Sequence, residues 1–184
     1  HSPQIIGSAA DLKRLPPLHL PVTENDKIQI GGNEGTVFDT PGHTIGHISV
    51  YFEASKLLFS ADTLMALGCG RLFEGTAGQM WRSLQKLSKL PDDTLVCSGH
   101  EYTEKNADFA ITIDPKNQEL IDRVQFTKEI RSKGLPTVPS RMGEEKKTNP
   151  FLRPWNKNIR TQIGMLDATD EEVFGKIRAL KDAY

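Results

Sequence analysis

The chain has 184 residues, enough for one domain or for one domain with a smaller companion. Its hydrophobic fraction of 37% and charged fraction of 26% are ordinary for a globular protein. A net charge of -1 at pH 7 gives no global attraction to nucleic acid or an anionic membrane, no apolar run is long enough to span a bilayer, and no signal peptide opens the sequence.

The charge is unevenly spread: from Lys128 to Arg160 there are nine Lys or Arg and three Glu. A solvated face is the ordinary account of such a run, and a surface that attracts a small anion is the other. Cys69 and Cys97 are too few and too far apart for a disulfide framework or a cysteine zinc site, so free thiols in a reducing cytoplasm are expected.

In chain order, "IQI" (28–30) leads through "GGNEG" into "TVFDT" (36–40), the pattern of a hairpin. "HISVYF" (47–52) and "KLLFS" (56–60) form a second strand pair, rich in residues that suit a half-buried pleated surface. "GQMWRSLQKLSKL" (78–90) carries Met80, Leu84 and Leu87 at helical spacing, widened by Trp81 and Leu90 and stopped by Pro91. "TLVCS" (94–98) reads as a buried strand running into "GHEY". Beyond it the strand signals vanish. Residues 101–113 are compatible with a helix, and 117–134 predict one with Leu120, Val124 and Ile130 near one face and Gly134 as its stop. A loop holding Pro136, Pro139, Pro150 and Pro154 follows. The last helix runs from about Asp170 to Tyr184, with Thr169 and Glu172 in capping-box spacing and a stripe of Val173, Phe174, Ile177, Leu180 and Tyr184. The expected architecture is an α/β layer domain over 1–101 followed by a small all-helical domain over 102–184.

His43 and His47, in "TPGHTIGH", have the i, i+4 spacing of a helical metal pair. Pro41, Gly42 and Gly46 argue against a helix there, so a loop at a strand end is expected instead. Two further stretches share the local arrangement: "LLFSADT" ends a strand in Asp62 and "LVCSGHEY" ends one in His100. Each alone is ordinary turn chemistry. Together, three strands each ending in a His or Asp point to a metal site.

"FDTPGHTIGHIS", "LFSADTL", "GCGRLFEGT", "SGHEYT", "PTVPS", "NPFLR" and "RALKDAY", taken in order, resemble the hydroxyacylglutathione hydrolases (glyoxalase II) of the metallo-β-lactamase fold. The resemblance implies an αββα fold, here N-terminally incomplete, followed by a helical substrate-binding domain. It implies two divalent metal ions, Zn²⁺ first and Fe or Mn as alternatives, with His43 on one, His100 on the other and Asp62 bridging them. His47 is implied to support the site rather than ligate. A hydroxide between the metals would attack the thioester of S-lactoylglutathione, in methylglyoxal detoxification. Arg178 and Lys181, three apart on the last helix, match residues that grip the glycyl carboxylate, while Arg71, Phe73 and Tyr102 match substrate contacts. On helical spacing alone, Arg178 and Lys181 would be an ordinary solvated face.

Two departures matter. Ala61 stands where the family usually has Gly, so a methyl would crowd the loop if that position needs a positive φ. The motif T-H-x-H-x-D-H, which supplies much of the family's metal set, does not occur in the sequence. His1 and His19 are poor substitutes. The expectation is therefore a thioester hydrolase whose present chain is metal-deficient and weakly active. The alternatives are a non-catalytic chain that keeps glutathione affinity, or another hydrolase of the same fold. A nucleic-acid-processing relative fits less well, because the C-terminal motif matches the thioesterase branch. Self-association through an incomplete domain edge is also expected.

Overall fold

The computed structural model describes residues 3–184, so His1 lies outside the described residues. Strands β1 (Ile6–Ser8) and β2 (Leu20–Val22) pair in parallel. They are followed by β3 (Lys27–Ile30), β4 (Asn33–Asp39), β5 (Ile48–Phe52) and β6 (Leu57–Ala61). A small hairpin, β7 (Leu64–Met65) and β8 (Gly68–Cys69), precedes helix α1 (Ala77–Leu87) and strand β9 (Leu95–Ser98). Then come α2 (Thr103–Ile113), α3 (Gln118–Ser132), β10 (Ser140–Arg141), α4 (Met142–Thr148), α5 (Lys157–Ile163) and α6 (Asp170–Asp182).

The main sheet has the order β10-β9-β6-β5-β4-β3. The β3–β4 hairpin forms as expected, with Ile30 opposite Asn33 across Gly31–Gly32 and Gly31 in the left-handed region. Each pairing from β3 to β6 is antiparallel, whereas β6 and β9 are parallel and are joined by a crossover through the β7–β8 hairpin and α1. Consequently β4, β6 and β9 all point the same way, and their C-terminal ends open on one edge of the sheet.

One face of the sheet meets helices. Leu58 and Val96 from the strands pack with Met80, Leu84 and Leu87 of α1 and with Val173, Phe174 and Ile177 of α6, all fully buried. Trp81 stacks on Phe174 at 5.8 Å between ring centroids. Burial of each such large side chain is worth about 1.5–3 kcal/mol. The opposite face carries a second cluster of Ile28, Val37 and Phe52, closed by Val22 of β2.

Most expected elements are present, including the Thr169–Glu172 capping box at the start of α6. Four expectations are corrected. The stretch after Gly134 is not a plain loop: it holds β10, α4, a 3₁₀ turn at Pro150–Leu152 and α5. Its prolines do not break these elements, since Pro150 opens the 3₁₀ turn behind an Asn149 cap, where its missing N–H costs nothing. Strand pairing also does not cease at residue 98, because β10 adds an edge to β9. On α6 the apolar stripe does not extend to Tyr184, which is exposed, while Arg178 is buried. In β9 only Val96 is fully buried; Leu95, Cys97 and Ser98 are half-buried. Among the described residues no helix is long and apolar enough to cross a membrane.

Near its end β6 carries a bulge, so that Phe59 faces Cys97 and Ala61 faces Ser98. A bulge of this kind re-aims the residue that follows it. Ala61 takes up the turn at φ 45°, in the left-handed region. For a residue with a Cβ that conformation costs about 1–2 kcal/mol, partly offset by the lower unfolded-state entropy of alanine relative to glycine. Ala61→Gly is therefore expected to raise stability by about 0.5–1 kcal/mol. The urea midpoint is the measurement, and an unchanged or lower midpoint would show that no strain resides there.

Candidate metal centre and substrate cleft

His43 sits in the loop from β4 to β5, Asp62 directly follows β6, and His100 lies two residues past β9. All three emerge at the same sheet edge because their strands are co-directional. The Nε2 atoms of His43 and His100 lie 3.5 and 3.4 Å from the same Asp62 oxygen, Oδ2. A Cβ on Gly99 would come within 2.7 Å of Asp62 Oδ1, and one on Gly70 would overlap the Asp62 carbonyl. Only glycine therefore lets these backbones approach Asp62, at its carboxylate and at its main-chain carbonyl.

The loop that carries His43 is closed at its base by Thr40 N–H donating to the His47 carbonyl at 2.8 Å. Its outer side is held by Glu74, which accepts from Ile45 N–H at 2.8 Å and pairs with Arg14. The hydrogen bond from Arg14 holds the Glu74 carboxyl down to about 2. His47 is not part of a helical pair. Its Nε2 accepts from Asp62 N–H at 3.0 Å, so the proton of the neutral ring belongs on Nδ1, 3.2 Å from the Thr44 hydroxyl. Burial pushes its pKa down, and the nearby His43 adds to the effect.

His43 Nδ1 lies 2.7 Å from the Arg71 carbonyl and donates to it, which leaves the Nε2 lone pair facing Asp62. Metal-binding histidines commonly hold the second nitrogen in this way. Asp62 Oδ1 is buried and has no hydrogen-bond partner, another feature that a cation would account for. The donors fit a divalent cation in kind and fall short in number. Among the described residues no group of three or more His, Cys, Asp or Glu side chains is gathered tightly enough to hold a metal ion. His19 is elsewhere: its Nδ1 accepts from Ile5 N–H at 3.0 Å.

These residues form one end of a cleft of about 680 Å³. It brings together His43, Asp62, Arg71, Phe73, His100, Tyr102, Arg178 and Lys181, while His47 stands behind Asp62. Phe73 is exposed, with its ring 4.8 Å from that of His43, and Tyr102 stacks on His100 at 4.8 Å. The two cations of α6 are not a solvated face. Arg178 is 4% exposed; it donates to the Cys69 carbonyl at 2.9 Å and to Asp182 at 3.0 Å, and lies over the Phe151 ring. Lys181 donates to the Lys105 carbonyl at 2.9 Å and lies over the rings of Phe109 and Tyr184. Burial, with the Arg178 charge second, lowers its pKa to about 8.

Lys105 and Asn106 also line the cleft and were not singled out from sequence, and Tyr184, expected in the apolar stripe of α6, lines it too. Tyr102, Lys105 and Asn106 have i, i+3, i+4 spacing, a signal that could have found two of them. The neighbouring Cys69 thiol is raised to about 11 by burial and is unreactive as a nucleophile.

Residues 6–100 match the metallo-beta-lactamase superfamily, and residues 101–184 match the family described as hydroxyacylglutathione hydrolase C-terminus. Among curated proteins, the hydroxyacylglutathione hydrolase of Cereibacter sphaeroides is 54% identical over 181 residues, covering 98% of this chain and 71% of the relative. That of Ruegeria pomeroyi is 53% identical over 184 residues, covering 100% of this chain and 72% of the relative. Similar solved folds include ETHE1 from Myxococcus xanthus, with a TM-score of 0.58, 23% identity and coverage of 98% and 66% of the two chains. The BLEG-1 B3 metallo-beta-lactamase has a TM-score of 0.56 at 23% identity, covering 82% of this chain and 65% of that one. The order of matched segments, the shared sheet edge and the identity over nearly the whole length agree: the chain belongs to the hydroxyacylglutathione hydrolase family of the metallo-β-lactamase superfamily.

Proposed function

We propose that this cleft serves the hydrolysis of an S-(2-hydroxyacyl)glutathione, S-lactoylglutathione foremost, to glutathione and a 2-hydroxy acid, in methylglyoxal detoxification. The observation that carries the reading is the meeting of His43, Asp62 and His100 at one end of a cleft whose far wall is cationic. His43 and His100 would hold a divalent cation through Nε2, with Asp62 between them. When bound there, such a cation supplies Lewis-acid polarisation of the carbonyl and a lowered pKa for water. Zn²⁺ suits His and carboxylate donors, and Fe or Mn²⁺ fit as well.

The residues of the chain do the rest. Asp62 accepts a hydrogen bond from the attacking water, and His47 keeps its backbone in place. As the water oxygen bonds to the thioester carbonyl carbon, its proton passes by way of the Asp62 carboxylate to solvent; the C–S bond breaks, and glutathione leaves as a thiolate that needs little acid assistance. Phe73 and Tyr102 flank the acyl end. Lys181, with Arg71 nearby, attracts the peptide carboxylates, and residues 102–184 act as the substrate arm. A reducing cytoplasm suits the two free thiols.

The second reading is glutathione binding without efficient turnover. It is favoured by the contrast between a sparse donor set and a well-formed cationic wall. This chain spans about 71–72% of the length of the curated relatives it matches. Zinc generally requires four ligands, one of which is water at a catalytic site. Metal analysis after dialysis is expected to find fewer than two retained ions per chain, and two tightly held ions would overturn the metal-poor reading. With Zn²⁺ supplied in excess, slow thioester hydrolysis that Asp62→Asn abolishes would support catalysis; binding without any hydrolysis would support the second reading.

Lys181 makes the binding pH-dependent. Its ammonium is fully charged below about 8 and neutral above, so attraction for a carboxylate is present at low pH and lost as pH rises through about 8. Calorimetric titration with S-methylglutathione should show affinity falling across that window. Lys181→Met should weaken binding by about fivefold to tenfold at neutral pH and flatten the profile, the partial exposure of the ammonium limiting the effect. An unchanged profile in the variant would remove Lys181 from the binding site.

A further inference from the structure

The segment between Asp62 and Arg71 ties both ends of the site together. Asp62 begins it, and the Arg71 carbonyl that accepts from His43 ends it. Between them β7 and β8 turn through Ala66 and Leu67, and Leu67 lies in the left-handed region at φ 55°. A branched apolar residue does not hold that conformation unaided. Leu67 is wholly buried, yet its N–H is satisfied: it donates to Glu145 Oε2 at 2.9 Å.

Glu145 comes from α4, 78 residues away, and is itself 0% exposed. Its carboxylate is held by Arg123 of α3 and by Asn149 Nδ2 at 3.0 Å. Arg123 is 6% exposed and also donates to the Thr148 hydroxyl at 2.7 Å. Asn149, the first residue of "NPFLR", donates to the Met65 carbonyl at 3.2 Å and the Gly68 carbonyl at 3.1 Å. Asn106 completes the grip through the Ala66 carbonyl at 3.0 Å. The hairpin is thus clamped by buried polar groups of the helical part, none of which lies among the expected metal donors.

We propose that Glu145, fixed by Arg123 and Asn149, is a positioning residue: by holding the Leu67 N–H it sets the hairpin that places Asp62 and aims the Arg71 carbonyl at His43. The proposal rests on the reading of His43 and Asp62 as site residues, but its test needs neither metal nor turnover. Removing the Glu145 carboxylate alone would leave buried Arg123 with only Glu144, 3.4 Å from its Nε, as counter-ion, a destabilising change. The informative pair is therefore R123M/E145Q, which keeps an acceptor for Leu67 N–H, and R123M/E145L, which does not.

Two readouts decide. Long-range ¹H–¹⁵N correlation of the neutral imidazoles reports which nitrogen of His43 carries the proton, and hydrogen exchange reports protection of the Leu67 amide relative to amides in α6. In R123M/E145Q both should match the parent chain. In R123M/E145L the His43 proton should distribute between Nδ1 and Nε2, and Leu67 should exchange about tenfold faster than α6 amides account for, the loss of one buried hydrogen bond. An unchanged His43 proton in R123M/E145L, or equal acceleration of all amides, would reduce Glu145 to a stabilising role and overturn the proposal. Should that variant not fold, Glu145→Asp decides: it keeps a carboxylate for Arg123 but draws the acceptor back from Leu67 N–H by one methylene, so the His43 proton should distribute between the two nitrogens, and a proton that stays on Nδ1 refutes the assignment.

Discussion

The site depends on the parallel pairing of β6 and β9 in the main sheet. Antiparallel neighbours would present a strand end beside a strand start, so Asp62 and His100 would lie at opposite edges. The crossover through the β7–β8 hairpin and α1 reverses that and places both side by side. Two antiparallel steps from β6 bring β4 back to the same direction, which adds His43. The cost of the crossover is a long non-local connection, whose closure entropy is offset by the buried faces of α1 and α6.

Around that edge, precision comes from polar contacts rather than from apolar packing. A bulge and a left-handed Ala61 re-aim Asp62, and His47 holds its N–H. The Arg71 carbonyl selects the His43 tautomer. The unpaired Asp62 Oδ1 is the residual demand of this arrangement, beside Gly99, while the two imidazoles converge on the other carboxylate oxygen, Oδ2. A buried carboxylate oxygen left without a partner is uncommon unless a ligand or ion completes it.

Helix α6 serves two purposes with two neighbouring cations. Arg178 turns inward and ties the helix to the Cys69 carbonyl, whereas Lys181 stays at the cleft with a softened charge. Their separation reflects what each meets: Arg178 is covered by β8 and the Phe151 ring, and Lys181, one turn on, lies beside Lys105 and Tyr184.

The sequence by itself determined the strands that end in His43, Asp62 and His100, the helices with regular stripes, the α6 capping box and, through its ordered motifs, the family. These are local or collinear properties: periodicity, turn chemistry and motif order survive without three-dimensional information. Helices α4 and α5 escaped notice because α4 starts after Arg141 without a side-chain cap, and Asn149, Pro150 and Asn156 look like loop residues until the chain is folded. Only the tertiary structure decided that Arg178 is buried and Tyr184 exposed, that Ala61 and Leu67 are left-handed, and that Glu145 reaches a hairpin 78 residues away. Each of those depends on which surface a neighbour covers and which backbone group a distant side chain meets, and neither is written in local spacing.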